Sequence, residues 1–244
     1  MILARALAAL ALAAGLLGAS LLRATPAPAG AVPASRQAAS VLTHYLEALD
    51  AYSAPKYVSF EYSVEQSGAT NISQVHRVYR AGRDERDELI EEDGKRRKPA
   101  GVRIRHDAVD RYALAAVAPA PERYAFTFVG STKSGDHLLY RYRTQAQTAA
   151  PFSVEEISVD GTSFLPAVIR FRSTYGGVHG HGKFLFAAAE KHWMIREARI
   201  DALAKGTPVS ERIVWSAYRF PSSLPSATFA DQISEPAPLP SLPP

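Results

Sequence analysis

His179-Gly180-His181 is the stretch of this chain whose residue types and spacing best fit metal chemistry. Residues two apart on a strand share a face, so both imidazoles could meet one ion, with His192 as a third ligand. Gly176, Gly177, Gly180 and Gly182 surround the pair and point to a flexible turn instead of a strand. No carboxylate stands close in sequence to complete a coordination set, so no metal and no cofactor is expected. His44, on a helical stretch, reads as solvated or core-edge. The chain has no cysteine among its 244 residues, which excludes disulfides, thiolate catalysis and Cys-ligated metal. It also lacks a G-x-S-x-G elbow, a phosphate-binding loop, an H-E-x-x-H pair and a G-x-G-x-x-G turn. Serines, histidines and acids elsewhere assemble into a triad only through a fold, which their order does not give. Catalytic residues are therefore expected to be none, and the chain is not expected to be an enzyme.

What recurs instead is a set of large apolar side chains on alternating positions. Tyr57 to Gln66 reads YVSFEYSVEQ, with Val58, Phe60, Tyr62 and Val64 on one face and Ser59, Glu61, Ser63 and Glu65 on the other. That is the period of a long, half-buried antiparallel strand. Tyr124, Phe126 and Phe128 alternate along a second run, and Tyr140 and Tyr142 along its return. With Trp215, these residues form the candidate site: Phe60, Tyr62, Tyr124, Phe126, Phe128, Tyr140, Tyr142 and Trp215 are expected to line an apolar cavity. Any one of them could equally fill a core. As a group they suggest broad apolar walls, because a core of this size is filled chiefly by aliphatics.

The elements that must hold this wall follow from periodicity and punctuation. Ser35 to Tyr52 reads as a helix, with Val41, Leu42, Tyr45, Leu49 and Tyr52 making one apolar stripe. Ser35 suits the N-cap and Pro55 ends the helix. The nearest surface for the stripe is the aromatic face of the strand that follows. Strands are predicted from Ile72 to Arg80 and over Arg83 to Glu92. After the Asp93-Gly94 turn come Lys95, Arg96, Arg97 and Lys98, then a strand from Val102 to His106. The acidic arm of this hairpin (Asp84, Glu85, Asp87, Glu88, Glu91, Glu92) faces a basic return (Arg103, Arg105) and reads as a solvated hairpin. The competing reading is a basic loop for anionic headgroups or an acidic partner. Asn71-Ile72-Ser73 matches the glycosylation pattern in a turn. Arg111 to Val117 is ambiguous between helix and strand. Further hairpins run from Arg123 to Phe220, with turns at Ser134-Gly135-Asp136, Asp160-Gly161 and Lys205-Gly206. The fold class expected is mainly β with some α: one strongly curved antiparallel sheet of at least seven strands, an unclosed β-barrel, with the N-terminal helix on its concave face. Order is expected to fade from Pro221.

The ends of the chain differ from its middle. Residues 1–31 carry Arg5, Arg23 and no acid, around an apolar run from Ala6 to Leu22 and small residues suited to signal peptidase. They read as an export signal, with an uncleaved membrane anchor as the alternative, and place the folded part outside the cytoplasm, in the periplasm. Residues 32–231 read as one domain, and residues 232–244 as a proline-rich disordered tail. Lys plus Arg exceed Asp plus Glu by 28 − 24 = 4, too small an excess to argue for nucleic acid.

The order of these elements resembles the periplasmic lipoprotein-carrier superfamily of the LolA/LolB type. The end carries most of the likeness. Trp215-Ser216-Ala217-Tyr218-Arg219-Phe220-Pro221, then Leu224-Pro225 and Phe229, resembles that group's last strand running into a proline-bearing loop. The resemblance spans roughly Ser40 to Phe229. It implies an unclosed β-barrel whose apolar cavity holds acyl chains or lipoproteins and carries them across the periplasm, with inner- and outer-membrane sorting proteins as partners. Those carriers also use an arginine near the cavity, and neither Arg77 nor Arg80 is matched to it. The proline-rich tail departs from the pattern. The alternative is a periplasmic binding or regulatory module that uses the same curved sheet against a protein or an envelope polymer. A hydrolase with scattered catalytic residues is a third class.

Overall fold

The structure is a computed structural model. It describes residues 34–68, 70–109, 112–174, 178–204 and 206–230. The expected export signal, the proline-rich tail, Lys205 and the stretch 175–177 lie outside the described residues.

Among the described residues, eleven strands form one antiparallel sheet. In chain order they are β1 (Tyr57–Ser67), β2 (Ile72–Ala81), β3 (Asp84–Glu92), β4 (Lys95–Arg105), β5 (Tyr124–Ser134), β6 (His137–Ala146), β7 (Phe152–Asp160), β8 (Pro166–Ser173), β9 (Val178–Ala189), β10 (His192–Ala204) and β11 (Thr207–Arg219). Their spatial order is β4-β3-β2-β1-β11-β10-β9-β8-β7-β6-β5. Only β1–β11 joins strands distant in sequence; every other neighbour is a hairpin. The two edges, β4 and β5, are not paired to each other, so the curved sheet stays an unclosed barrel. Residues 106–123 connect these two edges and hold a short helix α2 (Leu114–Val117), with Leu114, Val117 and Ala118 buried.

Helix α1 (Ala34–Ala51) buries Val41 and Tyr45 of the expected stripe, with Leu42, Leu49 and Tyr52 half-buried against the core, and it also buries Ala38. Its ties reach far along the sheet. Tyr142 on β6 donates to the Ala38 carbonyl at 2.6 Å, and Tyr45 donates to the Pro119 carbonyl at 2.7 Å. The ring of Tyr45 meets that of Phe126 on β5 at 6.1 Å, and Tyr52, just past the helix, donates to the Trp193 carbonyl of β10. The helix is thus anchored to the β5–β6 end and to β10, where the sequence offered β1 as the nearest partner. Curvature brings the late strands over the helix, and adjacency in sequence does not set its seat.

Three local expectations change. The β3–β4 hairpin pairs Glu85 with Arg105 and Asp87 with Arg103, as charge matching suggested. Its inner face is not solvated, since Glu85 and Asp87 are 3% and 4% exposed. His179, Gly180 and His181 lie within β9, not in a turn. The glycines there serve close packing: a Cβ on Gly182 would stand 2.4 Å from the Arg199 carbonyl oxygen and 2.8 Å from Phe171 Cζ. Past Pro221 the chain stays ordered through a 3₁₀ turn (Ser226–Phe229) that buries Phe229, with Thr228 accepting from Arg86 on β3. Asp160 closes the β7–β8 turn by accepting from the amides of Thr162 and Ser163 at 3.0 and 2.7 Å.

Candidate functional site

The inner face of the sheet holds two cavities. The first, about 470 Å³, lies against β5–β10. Its wall includes Phe152, Phe171, Phe184, Tyr124, Ile200, Ala202 and Val117. Phe152, Phe171 and Phe184 form one aromatic layer, with ring centroids 5.2 Å (Phe152–Phe171) and 4.5 Å (Phe171–Phe184) apart. This layer exists because alternate residues of adjacent antiparallel strands share a face, and Gly182 leaves the space over which Phe171 lies. Exposed Thr148, Ala150 and Pro151 of the β6–β7 turn, with Ser173 at the end of β8 and Val178 at the start of β9, form its rim.

The second cavity, about 340 Å³, lies against β1–β4 and β9–β11. Val58, Phe60, Val78, Phe186, Ile213 and Trp215 give it an apolar wall. Ala54, Pro55 and Lys56 before β1 and Gly82 of the β2–β3 turn form its rim. In an antiparallel sheet with this strand order, those segments lie at the opposite end from the β6–β7 turn, Ser173 and Val178. The two cavities therefore open at opposite ends of the sheet.

One side of the second cavity is charged. Glu85 accepts from both Arg80, at 2.5 Å, and Arg105. Beside it, Asp87 accepts from His76 Nδ1 at 2.8 Å and from the Tyr62 hydroxyl at 3.0 Å. The other ring nitrogen of His76 faces Gln74 Oε1 at 3.3 Å. Burial, and then the negative charge of Asp87, pushes the Tyr62 hydroxyl far above the ordinary tyrosine range. A phenol held so strongly protonated is a hydrogen-bond donor and no base. The cluster contains no serine, cysteine or lysine nucleophile within these contacts. Its acids are occupied by partners, as buried charges must be.

Of the eight residues singled out from sequence, Phe60, Tyr62 and Trp215 stand in the wall of the second cavity and Tyr124 in that of the first. Tyr124 Oη also accepts from the Val154 amide at 3.2 Å. Phe126 faces Tyr45 on α1, Phe128 lies 5.7 Å from Tyr142, and Tyr142 bonds α1 directly. Tyr140 is buried against Gly161 at the start of the β7–β8 turn. The wall also uses Tyr112, Phe152, Phe171, Phe184, Phe186 and Trp193, which the sequence reading did not single out. Period-two alternation would have found Phe184 and Phe186; nothing local marks Tyr112. Among the described residues no group of three or more His, Asp or Glu is arranged to hold a metal. His181 is paired with Asp201 and His192 with Ala189, so His192 stands at the far end of the β9–β10 ladder from the other two histidines.

No family model matches this chain, and no curated protein matches its sequence. Solved structures do. A LolA superfamily protein from Nitrosomonas europaea is similar at 14% identity and a TM-score of 0.41, over 82% of this chain and 99% of that one. A DUF1329 family protein from Desulfovibrio piger is similar at 12% identity and a TM-score of 0.44, over 82% and 98%. A putative outer membrane lipoprotein-sorting protein domain from Vibrio parahaemolyticus is similar at 11% identity and a TM-score of 0.43, over 81% and 97%. The resemblance read from element order thus returns among solved structures as a likeness of fold.

Proposed function

We propose that this chain is an exported binding protein that holds acyl chains, free or as part of a lipoprotein, on the inner face of its sheet and carries them through the cell envelope. The observation behind this reading is the pair of cavities, about 470 and 340 Å³, walled chiefly by aromatic and aliphatic side chains. Such volumes lie within the range of about 300–1,000 Å³ typical of small-molecule sites. A flexible hydrocarbon chain suits them, because apolar walls reward burial without demanding a fixed pattern of donors and acceptors. The neighbouring structures include a LolA superfamily protein and a putative lipoprotein-sorting domain, in keeping with this reading. Its place outside the cytoplasm follows from the export signal read over residues 1–31, and sequencing the N-terminus of the mature protein tests it: Met1 still present would remove the cleavage.

Displacement of a fluorescent fatty acid tests the binding. Each methylene buried should add about 0.8 kcal/mol to the affinity. Affinity that fails to rise with chain length, or no binding by well-folded protein, would remove the acyl reading and leave the protein- or polymer-binding module.

A further inference from the structure

Among the described residues, Val109 and Tyr112 stand in the walls of both cavities, and both lie on the connection between β4 and β5. The ring of Tyr112 stands between the cavities. On one side it meets Phe184, in the wall of the first cavity, edge-on at 5.8 Å. On the other it meets Trp215, in the wall of the second, edge-on at 5.1 Å. Both are favoured geometries for aromatic pairs, so the ring is held as a partition. Val109, three residues earlier in the chain, is 68% exposed and belongs to both walls.

Resting on the acyl-chain reading, we infer that Tyr112 sets the chain length this protein accepts. With the ring in place, each cavity takes a hydrocarbon chain only to its own depth. With the ring displaced, the two become one passage between opposite ends of the sheet and accept longer chains. A chain threading the gap offers Phe184 and Trp215 apolar contact in place of the Tyr112 ring. Tyr112 belongs to a connection and not to a strand of the ladder, so the sheet keeps its hydrogen bonds while the ring moves.

The test is a homologous series of saturated fatty acids, titrated by displacement of a fluorescent fatty acid from the wild type, Tyr112→Ala and Tyr112→Leu. In the wild type, affinity should rise about fourfold per methylene until one cavity is filled, then flatten. In Tyr112→Ala the rise should continue to longer chains before flattening. Tyr112→Leu keeps an apolar side chain against Trp215 and gives the same reading if the alanine variant fails to fold. Identical break points in wild type and variants, with binding intact, would overturn the partition and leave the acyl reading standing. A wild-type series that rises with no break would do the same. No displacement at any length by any of the three proteins would remove the acyl reading, and the partition with it.

Discussion

The Tyr62 hydroxyl on β1 reaches across β2 to donate to Asp87 Oδ2 on β3 at 3.0 Å. Its ring meanwhile lies parallel over the His76 imidazole, centroids 4.6 Å apart. Three strands are thereby joined by one buried polar cluster at the wall of the second cavity. Asp87→Ala should leave the Tyr62 hydroxyl and His76 Nδ1 buried without an acceptor, at a cost of about 3 kcal/mol or more. Tyr62→Phe removes one donor and keeps the stacked ring, so about 1 kcal/mol is expected. Urea unfolding of both variants checks the order; an Asp87→Ala variant no less stable than Tyr62→Phe would show the cluster to be incidental.

Tyr142 and Tyr45 fasten α1 through main-chain carbonyls, of Ala38 and Pro119 respectively. Burial pushes the Tyr142 hydroxyl up to about 12, so it remains a donor throughout the ordinary pH range. Tyr142→Phe should cost about 1 kcal/mol. Amide hydrogen exchange should then quicken in α1 before it does in β9 and β10. Uniform quickening across the sheet would mean the helix opens only with the whole fold.

Gly182 and Phe171 face each other on neighbouring strands, and a Cβ at 182 would meet both the Phe171 ring and the Arg199 carbonyl. Gly182→Ala should destabilise by about 1–3 kcal/mol through overpacking, despite the usual preference for alanine over glycine in a strand. The midpoint of thermal unfolding reads this directly. A neutral or stabilised variant would mean the β8–β9 ladder can shift to make room.

Glu211 is 3% exposed, and its Oε2 is buried without a hydrogen-bond partner. It lies opposite Gln66 on β1 and Ile200 on β10. Burial raises its pKa from 4.5 to about 7. The folded state then holds a proton that the unfolded state releases above about pH 4.5. The contribution of Glu211 is therefore most favourable below pH 4.5, declines as pH rises through about 7, and is constant above that. The full change is on the order of 3 kcal/mol. Glu211→Gln should be more stable than wild type at pH 8, with the difference shrinking towards pH 5. A difference that stays constant with pH would rule out the protonated carboxyl.

Alternation in YVSFEYSVEQ fixed β1 and its inward face, because a period of two admits only one set of side chains to a buried side. Turn residues such as Asp93-Gly94 and Ser134-Gly135-Asp136 likewise placed the hairpins, since those backbone conformations are local properties of the residues. The stripe on α1 announced a buried helix but not its seat, which depends on how far the sheet curves. Tertiary structure alone decided that Gly180 and Gly182 belong inside a strand, where an aromatic ring and a carbonyl from neighbouring strands need the space. It alone made Glu85 and Asp87 buried, by bringing the inner face of a charged hairpin against β1 and the cavity. It alone brought Tyr112 against Phe184 and Trp215, because that residue sits in an aperiodic connection and those two rings lie 72 and 103 positions further along the chain. Local periodicity encodes which face a residue takes; which faces meet is set by strand order and curvature, and those arise only when the whole sheet is assembled.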